Sequence, residues 1–120
     1  MKRIFTITSL LILTVVLLSA CTKSDYYYDE YYWLSRERGV VVYSDSYCPY
    51  YVVETRNGYT IINSQSGTTP YEGTTIYGDL SRIGSMDLYN YSDGTIIRGR
   101  VTDYWLSYNE AQNEIDYLCY

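Results

Sequence analysis

The chain has 120 residues, with 14 acidic against 9 basic side chains, 3 cysteines, 18 tyrosines and no histidine. A net charge of −5 argues against nucleic acid and anionic headgroups as partners, because both select basic surfaces. Without histidine there is no Ser–His–Asp chemistry and no histidine-ligated zinc, since imidazole is the usual neutral-pH base and the commonest metal ligand.

The N-terminus opens with Lys2 and Arg3, then runs uncharged from Ile4 to Ala20. This run is short of the about 20 apolar residues a membrane-crossing helix needs. It is broken by Thr6, Thr8, Ser9 and Thr14 and ends in small residues, the layout of a secretory signal. At its end Leu18-Ser19-Ala20-Cys21 resembles the lipobox of bacterial lipoproteins. The resemblance covers residues 1–21 and implies cleavage before Cys21, whose thiol carries the lipid. Two or more acyl chains anchor stably at about 0.8 kcal/mol per buried methylene. Thr22 is not the aspartate of inner-membrane retention, so the resemblance favours the outer membrane, at its periplasmic face or the cell surface.

Residues 1–20 are therefore read as a cleaved signal, 21–38 as a lipid-anchored, tyrosine-rich segment, and 39–120 as one β-rich domain. Loss of Lys2 and Arg3 leaves 7 basic side chains against 14 acidic ones, a formal charge of −7. In the 21–38 segment, Asp29 and Glu30 early, Arg36 and Arg38 late, and Gly39 as a stop follow the charge order of a helix. Tyr27, Tyr31 and Leu34 would then share a face. A tether whose aromatics rest at the lipid interface, or a strand, reads from the same residues.

Next, Val40–Tyr43 is a short apolar run ended by Ser44-Asp45-Ser46. Tyr50–Arg56 and Tyr59–Asn63 flank Asn57-Gly58, a strong hairpin signal because a type I′ turn needs positive φ at both positions. Ser64–Gly73 reads as a loop, Thr74–Leu80 as a strand with a kink or bulge at Gly78. Met86–Tyr91 and Thr95–Trp105 flank Asp93-Gly94, a second hairpin. Ser107 followed by Glu110 has capping-box spacing, and Ala111, Ile115 and Leu118 recur at helical period, so a helix over about 108–118 is expected to pack on the sheet. With Cys21 lipidated, Cys48 and Cys119 remain as an even pair in an exported chain and read as a disulfide. The fold expected is mainly β: a twisted antiparallel sheet or barrel of about five to six strands, a C-terminal helix, and a short N-terminal helix as an option.

A two-residue Asp93-Gly94 turn places Met86 opposite Val101, Leu88 opposite Gly99 and Asn90 opposite Ile97 on an inward face. The outward face carries Tyr91 opposite Ile96, Tyr89 opposite Arg98 and Asp87 opposite Arg100, continued by Thr102 and Tyr104. Aromatic planes among arginines suit sugar rings or a polar peptide, so Tyr89, Tyr91, Arg98, Arg100 and Tyr104 form the candidate ligand face. The same residues also suit a solvent face with cross-strand pairs. Glu54, Glu72, Asp79 and Asp103 fall in no catalytic motif, Tyr91–Gly94 has too few oxygens for a calcium loop, and no glycine-rich phosphate loop occurs. The expectation is a non-enzymatic envelope lipoprotein without cofactor or metal. It either binds a glycan or peptide, or acts as a structural or assembly component through protein contacts.

Overall fold

A computed structural model describes residues 30–120; the expected signal segment, Cys21, Tyr27 and the start of the tyrosine-rich stretch lie outside the described residues. Residues 30–34 form a short helix, α1. Six strands follow: β1 (Glu37–Tyr43), β2 (Tyr50–Thr55), β3 (Gly58–Ser64), β4 (Thr75–Gly78), β5 (Gly84–Asn90) and β6 (Thr95–Leu106). Helix α2 (Tyr108–Cys119) closes the chain. The strands pair antiparallel in the order β1-β2-β3-β6-β5-β4, and β4 pairs back on β1, so the sheet is a closed barrel. Closure gives each of the six described strands a neighbour on both sides, which limits the edge open to another chain.

Two apolar layers hold it. Inside the barrel, Val41, Tyr51, Val53, Ile62, Ile76, Leu80, Met86, Leu88 and Val101 pack together. Leu80, just beyond β4, plugs one end, and its carbonyl accepts from the buried Thr60 hydroxyl at 2.9 Å. So small an interior requires inward positions without side chains. A Cβ on Gly78 would run into Leu88, and one on Gly99 would lie 2.7 Å from Ile62 Cγ2 and 3.4 Å from Leu88 Cδ1. Outside the barrel, Val52, Ile61 and Leu106 meet Ala111 and Ile115 of α2, flanked by Leu118 and Cys119. The helix face read from the sequence is the face it buries.

Helix α2 starts as expected. The Ser107 hydroxyl accepts from the Glu110 N–H at 3.2 Å, and Glu110 Oε1 accepts from the Ser107 N–H at 3.1 Å. These bonds hold the Glu110 carboxyl below its usual range. Ser107→Ala should lower stability by about 1 kcal/mol in urea denaturation, the usual worth of a serine cap; no change would mean the tertiary contacts of α2 set its start alone. At the other end Cys48 and Cys119 are bonded, with Cα atoms 5.5 Å apart. Beside them the Tyr43 and Tyr120 hydroxyls share a hydrogen bond of 3.1 Å, which with burial raises the Tyr43 phenol to about 12.

Three expectations are corrected. First, Glu37 and Arg38 belong to β1 rather than to an opening helix. Gly39 does not end a helix; it faces inward, where a Cβ would meet Val53 and come within 3.0 Å of Leu80 Cδ1. Tyr31 and Leu34 stay exposed, and Trp33 is the residue that packs.

Second, both hairpins turn one step earlier than read. In β2–β3 the loop is Arg56-Asn57, and Gly58 pairs with Thr55. In β5–β6 the loop is residues 91–94, and Asn90 pairs with Thr95. Neither Asn57 nor Asp93 takes positive φ; Gly58 (129°) and Gly94 (69°) do so alone. Local side chains capture the loop N–H groups instead. Asn57 N–H donates to Thr55 Oγ1 (3.1 Å) and Asp93 N–H to Asn90 Oδ1 (3.1 Å), which favours a type I turn followed by glycine over the primed turn. Each register moves by two, so every side chain keeps its face but changes its partner.

Third, β6 bulges twice against β3, between the pairs Ile62–Val101, Ile61–Asp103 and Tyr59–Leu106. The extra residues rotate the strand, and Tyr104 packs on the interior layer instead of continuing the outer face.

Candidate functional site

The shifted register redistributes the five candidate residues. Asp87 faces Arg98, not Arg100, and the two form an ion pair of 3.0 Å. Both side chains are about half exposed, so the pair contributes at most about 1 kcal/mol. Arg100 faces Ser85 and stays exposed. Tyr89 is only 8% exposed. Trp33 stacks over it with ring centroids 6.1 Å apart, and Tyr91 meets it edge-on at 6.3 Å. Tyr91, 48% exposed, also touches Tyr77 edge-on at 5.9 Å. Tyr89 and Tyr104 are thus packing residues, whereas Tyr91, Arg98 and Arg100 remain on the surface.

Arg98 instead joins the end of the barrel where the 44–49, 65–74 and 91–94 loops meet. It borders a depression of about 290 Å³ shared with Thr68, Tyr71, Asn90 and Asp93. Across the Thr68-Thr69 segment lies a larger one of about 540 Å³, lined by Ser44, Tyr47, Pro49, Ser64, Tyr71 and Glu72. Tyr47 (96% exposed) and Tyr71 (86%) stand at these depressions as open aromatic faces. The long loop is tied down. Gln65 N–H and the Ser66 hydroxyl donate to the Arg98 carbonyl at 3.0 and 3.2 Å, and the Ser64 hydroxyl donates to the Thr68 carbonyl at 2.5 Å. Glu72 Oε1 accepts from the Ser44 N–H at 3.3 Å, joining two loops. The Cys48–Cys119 bond holds the third side to α2. Hydroxyls, two open tyrosines, the carboxylates Glu72 and Asp93 and one arginine suit a hydrogen-bonding ligand without strong negative charge.

Tyr47, Tyr71 and Glu72 are missing from the sequence-derived site. The available signal is the length of the 65–74 segment, which exceeds the about four to six residues of a typical connection.

The other end of the barrel carries Trp105, the only non-glycine residue with positive φ (58°) among those described. A bulky residue there is a true outlier, costing about 1–3 kcal/mol. Gly58 makes room for it: a Cβ would lie 2.8 Å from the Leu106 carbonyl oxygen and 3.2 Å from the Trp105 carbonyl carbon. The indole is 60% exposed, yet its N–H donates to Ser81 Oγ at 2.8 Å. Ser81 donates in turn to Glu37 Oε1 at 2.7 Å, and Asn57 Nδ2 donates to Glu37 Oε2 at 3.2 Å.

Burial and the facing Asp103 carboxylate raise the Glu114 carboxyl above its usual range; this pair sits on the half-buried seam between α2 and β6, outside either depression. Among the described residues no three metal-ligating side chains converge. No helix among them is long and apolar enough to cross a membrane. The chain matches no protein-family model, and no curated protein or solved structure is significantly similar to it.

Proposed function

We propose that the chain is a non-enzymatic envelope lipoprotein, anchored through Cys21, whose barrel binds a glycan or peptide at its loop end. The anchorage rests on Leu18-Ser19-Ala20-Cys21 and the short apolar run before it. The observation that carries the binding role is the pair of adjoining depressions with Tyr71 common to both. Arg98 and Tyr91 retain a part from the sequence-derived site, now as neighbours of these loops rather than as a strand face. The outer membrane is the favoured location.

The test uses the full-length chain in detergent, probed on glycan and peptide arrays. Tyr71→Ala and Arg98→Ala should each weaken the bound signal by more than 1 kcal/mol, roughly fivefold, if they lie at the centre of the site. Unchanged binding in both variants, or no binding to any array member, rejects the loop-end site. Cys21→Ser should abolish labelling by a fatty-acid analogue and release the protein from the membrane fraction; equal labelling rejects the anchor. The assembly reading draws on a different observation: Tyr47, Tyr117 and Tyr120 are all exposed close in sequence to the bonded cysteines. An envelope protein recovered with wild type and lost with Tyr117→Ala would favour it.

A further inference from the structure

We propose that Trp105 forms a second ligand site, a stacking platform for a neutral hexopyranose chain at the barrel end opposite the Tyr47 and Tyr71 depressions. Neither backbone nor packing accounts for a tryptophan at this position. The φ of 58° is one that glycine or asparagine adopts without penalty and a bulky side chain resists. A ring that served the core would be covered, whereas this one is 60% exposed. Its orientation is nevertheless fixed from four elements. Ser81 of the β4–β5 loop holds the indole N–H, Glu37 of β1 holds Ser81, and Asn57 of the β2–β3 turn holds Glu37. Tyr104 of β6 braces the ring edge-on at 5.9 Å and 89°. An exposed, immobilised indole is a preorganised apolar plane, and immobilisation before binding removes an ordering cost.

The polar groups beside the plane set the ligand class. Each oxygen of a carboxylate has about two acceptor sites, so Glu37, with one donor on each oxygen, retains acceptor capacity for sugar hydroxyls. Negative charge from Glu37, and the commitment of Arg82 to Asp79 at 2.7 Å, disfavour a polyanionic sugar. A pyranose stacked on the indole with hydroxyls toward Glu37 and Asn57 satisfies both surfaces. This site is independent of the loop-end reading.

The experiment titrates the full-length chain, in a detergent without a sugar headgroup, with maltohexaose, cellohexaose and chitohexaose to millimolar concentration. Tryptophan emission should shift saturably with at least one of them. Affinities of the Trp105 variants, which lack the responding indole, are read by isothermal titration calorimetry: Trp105→Phe should weaken binding, and Trp105→Gly should reduce affinity at least about tenfold, as expected for loss of a stacking face. The decisive readout is thermal: Trp105→Gly should melt no lower than wild type, because glycine relieves the φ penalty. Tyr71→Ala and Arg98→Ala should leave this response unchanged, so that failure of the loop-end site is read separately. A saturable response to tetramethylammonium but to none of the sugars, by cation–π attraction, overturns the proposal. So does the absence of any saturable response, retained affinity in Trp105→Gly, or a clear fall in its melting temperature.

Discussion

Replacing Cys48 and Cys119 together by alanine should lower the unfolding free energy by about 4 kcal/mol, the value the chain-entropy account assigns to a loop of this length. The two residues are 71 apart in sequence, so the reduced chain regains the freedom of most of the barrel when it unfolds. The loss should appear first at the end of α2. Ala111, Ile115 and the half-buried Leu118 and Cys119 hold that helix to the barrel, with Tyr108 edge-on to Tyr59 of β3. Urea denaturation followed by far- and near-ultraviolet circular dichroism, with and without reductant, measures it. A difference below about 1 kcal/mol would mean that the closed barrel alone restrains the chain, since removing a disulfide from a small exported domain usually costs about 2–5 kcal/mol. The bond also holds one wall of the Tyr47 depression, so the double variant should lose loop-end binding at temperatures where the barrel is still folded.

The second large effect is expected at Leu88, fully buried between Gly78 and Gly99. Leu88→Ala removes apolar contacts and leaves a cavity that a closed barrel cannot readily collapse, at a cost of about 2–5 kcal/mol. Gly78→Ala pushes a methyl group into the Leu88 side chain and should cost about 1–3 kcal/mol by overpacking. The two changes act on one volume. In the double variant the new methyl enters the space the leucine vacated, so the combined loss should fall short of the summed single losses by about 1 kcal/mol. Strict additivity in urea denaturation of all three variants would contradict this packing.

The outer face of the β5–β6 hairpin shows where local reading stopped. Alternation along Met86, Leu88, Asn90, Gly99 and Val101 assigned the inward side correctly, since the period of a strand is local and survives a two-residue change of register. The partners did not survive it. Asp87 meets Arg98 because the Asn90 amide captures the Asp93 N–H, a side-chain contact that the Asp93-Gly94 signal does not contain. Tyr89 became a packing residue because Trp33, 56 positions away, lies over it. Tyr104 turned inward because β6 bulges to follow β3. None of these three causes lies within the hairpin's own spacing.

What the sequence determined by itself was local: about five to six strands in order, the span and buried face of α2, its capping box, and the pairing of Cys48 with Cys119. Alternation and capping geometry act over a few residues, and the folded chain has little freedom to override them; the cysteine pairing followed from the expectation that Cys21 is set apart, which leaves two. Only the tertiary structure decided that β4 returns to β1, that the 44–49, 65–74 and 91–94 loops gather Tyr47, Tyr71 and Arg98 at one end, and that Trp105 is presented at the other. Barrel closure follows from filling one small interior, which requires glycine wherever Val53, Ile62 or Leu88 crosses the middle. That requirement is met by residues far apart in the chain, and it fixes the registers and bulges that place the surface side chains.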